Sequence, residues 1–273
     1  MLLDVKHTTR YRFAAGTRYG LKQLRVFPKD RDSQRVLSWN VELHGAKHQL
    51  DFEDQHHNHV ILASIEDGAE EVVVESAGRI ETTDTAGVIG AHGGFAPLWY
   101  FRRSTPLTRA GRHVVALAAG LEENDDLLAR MHTLSALIRE KVTYKVGATA
   151  VDTTADQALE LGAGVCQDHA HIMVAAARRL GFAARYVSGY LMMNDRIEQE
   201  AGHAWTEVYI EPLGWVGFDV SNGISPDERY VRLATGLDYT EAAPISGMRY
   251  ADPLHKNDGE DVDTILVNVA VQQ

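Results

Sequence analysis

The stretch from Val165 to Leu180 constrains the fold more than any other part of the chain. Ala170, Ile172, Met173, Val174, Ala175, Ala176, Ala177 and Leu180 leave no wide polar side. A helix that is apolar nearly all round has to be central, with other layers wrapped about it. Gly162-Ala163-Gly164 bends the chain just before it, and Gly181 is the natural residue to end it. The single cysteine of the 273 residues, Cys166, falls in the first turn. There the unpaired backbone N–H groups and the positive end of the helix dipole favour thiolate, and thiolate is the nucleophilic form. A lone cysteine is more often a small buried hydrophobe, so Cys166 gains meaning only from partners.

Such a thiolate needs a base, and the base needs a group that fixes its tautomer. His203 opens the run His203-Ala204-Trp205-Thr206-Glu207-Val208-Tyr209-Ile210. Its even positions suit a core and its odd positions suit a cleft. In Trp215-Val216-Gly217-Phe218-Asp219-Val220, the residues Trp215, Gly217 and Asp219 share one face, which Gly217 leaves open. Glu211-Pro212-Leu213-Gly214 is a turn sequence, so the two runs form an antiparallel hairpin. Pairing Ile210 with Gly214 puts Asp219 opposite Trp205, one diagonal step from His203; a slightly longer loop puts it directly opposite His203. The side-chain roots are then about 5 to 8 Å apart, within reach of an imidazole–carboxylate hydrogen bond. The expected set is Cys166 as nucleophile, His203 as base and then acid, and Asp219 as orienter.

An oxyanion formed by attack would lie at the backbone N–H of Cys166 and a second donor. The indole of Trp99, the phenol of Tyr100 and the amide of Gln167 are the candidates. His169, one turn beyond Cys166, competes as base. Attack geometry wants the base across a cleft, so His169 and Asp168 are expected to support the site or its mouth. His171 is expected to be buried and hydrogen-bonded. Trp205, with Tyr190, Tyr209 and Trp215, is a candidate lining residue.

The first third of the chain reads as antiparallel strands, at Val5–Phe13, Arg35–Leu43, Asn58–Ile65 and Glu70–Glu75, with turn residues between them. A β-rich unit over residues 1–83 is expected, then a linker or packed loop over 84–108, then an α+β core with a C-terminal strand over 109–273. Within the core, Asn124–Val142 has helical spacing, with Asn124 or Asp125 as cap, and Asp152–Leu159 reads as a short capped helix. Strands are expected at Ala184–Leu191, His203–Ile210, Trp215–Val220 and Thr264–Val271. Gly16-Thr17-Arg18-Tyr19-Gly20 is expected as a hairpin connection. Arg102-Arg103 and Arg178-Arg179 are expected as surface pairs.

The net charge of −11 argues against a general nucleic-acid or anionic-membrane surface, because phosphates require a basic footprint. One cysteine cannot form an internal disulfide. Asp4 interrupts the stretch where a signal peptide would have its apolar core, so the cytoplasm is the expected location. The run Asp54-Gln55-His56-His57-Asn58-His59 is too cramped for a zinc site. Asn257–Asp263 is acidic but lacks the EF-hand pattern, and reads as a solvated loop. No metal or cofactor is expected.

The blocks Gly164-Val165-Cys166-Gln167-Asp168-His169-Ala170-His171, Ala184–Leu191, His203–Tyr209 and Gly214–Asp219 together resemble the transglutaminase-like superfamily. Val5–Phe13 is similar to the opening strand of its bacterial members with a β-rich N-terminal region. The resemblance implies a papain-like α+β core with a Cys-His-Asp triad, at Cys166, His203 and Asp219. It also implies amide chemistry, as protease, amidase or acyl transferase on a peptide or protein substrate. Val220-Ser221-Asn222 departs from the Pro-Thr-Asn common in that family. The rival reading is a binding or scaffolding protein that keeps the fold without turnover.

Overall fold

The computed structural model describes residues 1–14, 17–121, 126–251 and 263–273. Six strands open the chain: β1 (Leu2–Arg12), β2 (Thr17–Phe27), β3 (Gln34–His44), β4 (Ala46–Glu53), β5 (His59–Ile65) and β6 (Glu71–Thr82). After β7 (Val88–Gly90) and a 3-10 turn at Leu98–Arg102 come α1 (Arg112–Ala119), α2 (Leu127–Lys141), β8 (Thr143–Tyr144), α3 (Ala155–Leu161), β9 (Ala163–Gly164) and α4 (Cys166–Arg179). The rest is β10 (Ala184–Leu191), β11 (Glu198–Gln199), β12 (His203–Ile210), β13 (Gly214–Phe218), β14 (Tyr230–Gly236), α5 (Tyr239–Ala242), β15 (Ile245–Ala251) and β16 (Thr264–Gln272).

The architecture is the expected α+β one. α4 lies at its centre, buried from Asp168 to Arg178. Met131, Leu134 and Ile138 of α2, Val114 and Leu117 of α1, and Ala155 and Ala158 of α3 pack around it. Val208, Ile210, Val216 and Phe218 close the same core from the sheet side. That sheet runs β14-β10-β12-β13-β7. The helix N-termini are capped by Asp126 for α2 and by a Thr154–Gln157 capping box for α3. Asp126 therefore caps α2; Asn124 and Asp125, the expected caps, lie outside the described residues.

The N-terminal strands form two facing sheets, β11-β16-β1-β6-β3 and β15-β2-β5-β4. Tyr11, Val72 and Val74 from one meet Leu24, Val26, Ile61 and Ala63 from the other. Alternation explains this: each strand offers one apolar face, and two such faces bury each other.

Four expectations are corrected. Thr264–Gln272 forms a strand, but it pairs with β1 (Val5 opposite Val271) rather than with the core sheet, and β15 pairs with β2. In β16, Val269 and Val271 alternate with Asn268 and Ala270 and pack with Leu3, Val5 and Ile80. Thr17–Gly20 begin β2, which lies in the other sheet from β1, so they are strand and not a hairpin connection; Gly16 lies outside the described residues. Within 84–108, β7 extends the core sheet beside β13. Arg178 is buried: its guanidinium donates to the carbonyls of Phe101, Ala184 and Leu237 and to the Thr108 hydroxyl. A cation on a helix with no solvent side has to find acceptors inside. Most of the acidic run 257–263 lies outside the described residues.

Candidate active site

Local bonding fixes the start of α4. Asp168 is fully buried, and its Oδ2 accepts from the Val165 N–H at 2.8 Å and from the Thr149 hydroxyl at 2.7 Å. This carboxylate holds the first turn to the loop before it. The short parallel pair of β8 and β9 sets Tyr144 beside Gly164. Cys166, partly buried, is the first residue of the helix, where a backbone N–H has no preceding turn to donate to.

The hairpin of β12 and β13 takes the first of the two registers derived above. Ile210 is opposite Gly214 and Thr206 opposite Phe218, so Asp219 comes level with Trp205, diagonal to His203. His203 Nε2 donates to Asp219 Oδ2 at 2.6 Å. The same oxygen accepts from the Tyr230 hydroxyl at 2.6 Å and from Asn222 Nδ2 at 2.7 Å. Asp219 is fully buried; burial works against its charge, but His203, Asn222 and Tyr230 outweigh it and hold its pKa below the ordinary value. Burial likewise works against a charged His203. The hydrogen bond and charge of Asp219, followed by a hydrogen bond to Cys166 and its charge, overcome that and raise its pKa to about 10. With Nε2 committed to Asp219, Nδ1 is the nitrogen left for the sulfur. The three groups meet at one point, where a helix start abuts a strand start.

The cavity at this point has a volume of about 310 Å³. Cys166, His203, Tyr186 and Tyr239 line it together with His7, Thr9, Ile265 and Val267 from the sandwich. His7 is buried and bonded to Tyr190 and Thr9, and burial pushes its pKa down to about 4. The sandwich residues of the lining are therefore neutral, and no acidic side chain is among the described lining residues.

Tyr144, half exposed and outside the cavity lining, reaches the sulfur from β8. Burial first, then the charges of Cys166 and Asp219 and a hydrogen bond to Cys166, raise its pKa to about 12, so its phenol stays neutral and able to donate.

Several expected residues lie elsewhere. Trp99 is 63% exposed on the 3-10 turn, and Tyr100 packs against His56 with ring centroids 5.7 Å apart. Neither lines the cavity. Gln167 does line it, but its amide donates to the Val151 carbonyl at 3.0 Å. Trp205 is buried, edge-on to Tyr230, and supports the His203 ring from behind. The odd face of β12 is thus not a cleft. It is covered, as Trp215 and Tyr190 also are, and Pro226 fills the space beside Gly217. The cleft lies at the strand end instead. His169 is fully engaged, Nε2 with the Val142 carbonyl and Nδ1 with the Ser221 hydroxyl, and burial lowers its pKa. It braces the turn after Asp219 as a neutral ring. His171 is buried and accepts from the Tyr239 N–H. His56, His57 and His59 turn to separate acids, Glu241, Glu53 and Asp51.

Residues 115–220 match the transglutaminase-like superfamily, and residues 3–81 match the bacterial transglutaminase-like N-terminal region. An uncharacterized protein of Mycobacterium leprae is 26% identical over 265 residues, 90% of this chain and 92% of that one. A protein-glutamine gamma-glutamyltransferase of Pseudomonas aeruginosa is 29% identical over 119 residues, 40% of this chain and 18% of that one. The crystal structure of a candidate cysteine protease from Cytophaga hutchinsonii has the same fold, with a TM-score of 0.77 at 18% identity, covering 100% of this chain and 91% of the other.

Proposed function

Because this chain belongs to the transglutaminase-like superfamily, with the bacterial N-terminal region ahead of the core, we propose that it is a cysteine enzyme cleaving carboxamide or peptide bonds through a thioester on Cys166. The observation that carries the reading is the meeting of His203 with both Asp219 and Cys166 at the start of a buried helix. The sulfur attacks the carbonyl carbon while His203 holds the proton at Nδ1. That proton passes to the departing amine as the C–N bond breaks, leaving the acyl group on sulfur. Asp219 stays ionised and keeps the ring oriented. The oxyanion sits at the backbone N–H of Cys166, with the Tyr144 phenol as second donor. Water, its proton taken by Nδ1, then releases the acid.

Alkylation by iodoacetamide across pH tests this, in wild type and in His203→Ala. Fast labelling of Cys166 at pH 6 that falls at least tenfold in the variant is the expected result. Slow labelling that follows an ordinary thiol profile would identify a scaffold without turnover. Mass spectrometry of an activated ester substrate, with and without a primary amine, then separates acid from amide product.

A further inference from the structure

The face of the core sheet turned away from α4 holds buried charges that the proposed chemistry does not use. Glu207, fully buried, accepts from Arg185 Nε at 2.5 Å and from Arg232 Nε and Nη2 at 2.6 and 3.0 Å. The two arginine side chains are only 10% and 7% exposed. Their remaining guanidinium N–H groups, Nη1 and Nη2 of Arg185 and Nη1 of Arg232, have no acceptor among the described residues. The Arg185 guanidinium carbon lies 3.9 Å from the centre of the Trp215 ring.

A third arginine, Arg31, enters the same space from the turn between β2 and β3. Its side chain has no hydrogen-bond or ion-pair partner among the described residues. The charge of Arg232 and then burial outweigh the attraction of Glu207 and push its pKa down to about 9. The three arginines line one cavity of about 390 Å³ with Trp215, Gly93 and Gly94. Gly93 has open space where a Cβ would stand. Asp30 and Asp32 also reach this cavity, but both are exposed, and Asp30 Oδ1 accepts from the Val36 N–H. His56 and His57 have acids of their own in Glu241 and Glu53.

One inner carboxylate thus faces three guanidiniums. Burying unpaired charge is costly, and a guanidinium presents a fixed fork of donors matched to an oxyanion. We propose that this cavity binds a small-molecule oxyanion, a phosphate or a carboxylate, between Arg31, Arg185 and Arg232. Arg31 closes over the anion from its turn, and the two sheet arginines, held in place by Glu207, offer their free N–H groups from below.

Isothermal titration calorimetry of the full chain, with inorganic phosphate and separately with malonate, tests this at ionic strength held constant with sodium chloride. One saturable site for either anion supports the proposal, and the preferred anion names the ligand chemistry. Arg31→Ala is expected to weaken that binding at least tenfold, to raise the thermal midpoint of the anion-free protein, and to leave Cys166 alkylation unchanged. Arg31→Lys, which keeps the charge but not the fork, should fall between. Two results overturn the proposal: neither anion binding beyond the chloride control, or Arg31→Ala binding as tightly as wild type. Both readouts are independent of the thiol chemistry, so failure of one proposal leaves the other standing.

Discussion

His203 keeps its proton where an isolated imidazole would have lost it. Its folded pKa, about 10 against an ordinary 6.5, means that its pairing contributes stability fully below pH 6.5 and loses it as pH climbs through about 10. Asp219 runs the other way. Its pKa is lowered, so its contribution is present above the ordinary 3.8 and is lost as pH falls below that. Denaturant unfolding of wild type should therefore show stability falling between pH 6.5 and 10, and His203→Gln should flatten that limb; an unchanged limb would dissolve the pair. Tyr144→Phe should lower kcat by about 10- to 100-fold with little change in KM, because a donor to a developing oxyanion acts mainly in the transition state. A fall confined to KM would make Tyr144 a binding residue. That His203 and Asp219 share a face within reach of each other was legible in the sequence because a short turn limits the register to two choices of the same parity; which of the two forms was not. Tyr230 and Asn222, which hold Asp219, were not. Tyr230 opens a strand with no clear alternation, and Asn222 acts through a turn that only the fold closes. Tyr144 was hidden for a similar reason, since a two-residue strand carries no periodic signal.

α4 is where composition translates most directly into architecture. Its lack of a polar side predicted a central helix, and helices α1 to α3 with one sheet face do surround it. Ile172 is fully buried there, so Ile172→Ala should lower stability by about 2–5 kcal/mol in equilibrium unfolding. Asp168→Ala is a different kind of change. It removes the acceptor for the Val165 N–H and the Thr149 hydroxyl, and should lower stability by about 0.5–2 kcal/mol. Its larger effect should be on the rate of Cys166 alkylation, because the first turn loses its anchor. A stability loss with an unaltered rate would show that the turn holds without it. Alternation in β12 and β13 revealed two faces but not which one would be covered. Both are covered, one by α4 and one by buried arginines and aromatic rings, because a second layer packs on each side.

Across the whole molecule, the sandwich helps to line the candidate site. His7, Thr9, Ile265 and Val267 line the cavity that Cys166 lines. Ile265 is 61% exposed, so Ile265→Arg should be tolerated by the fold while raising KM for a peptide substrate severalfold. Alkylation by a small reagent should be unaffected; a parallel loss of both would point to general disturbance. That arrangement was the least legible part of the chain. The sequence marks where β16 forms, but pairing across nearly the full length depends on which sheet edge stands open.

That pairing has a consequence for assembly. β1 lies between β6 and β16, so one flank of this strand stays bare until residues 264–272 have been made. The helix that carries the thiol and the hairpin that carries its imidazole both lie upstream of that segment. During synthesis Cys166 and His203 are therefore made before Ile265 and Val267, which line the same cavity. A chain without Thr264–Gln272 would leave the Cys166 cavity without Ile265 and Val267, and its mouth correspondingly wider.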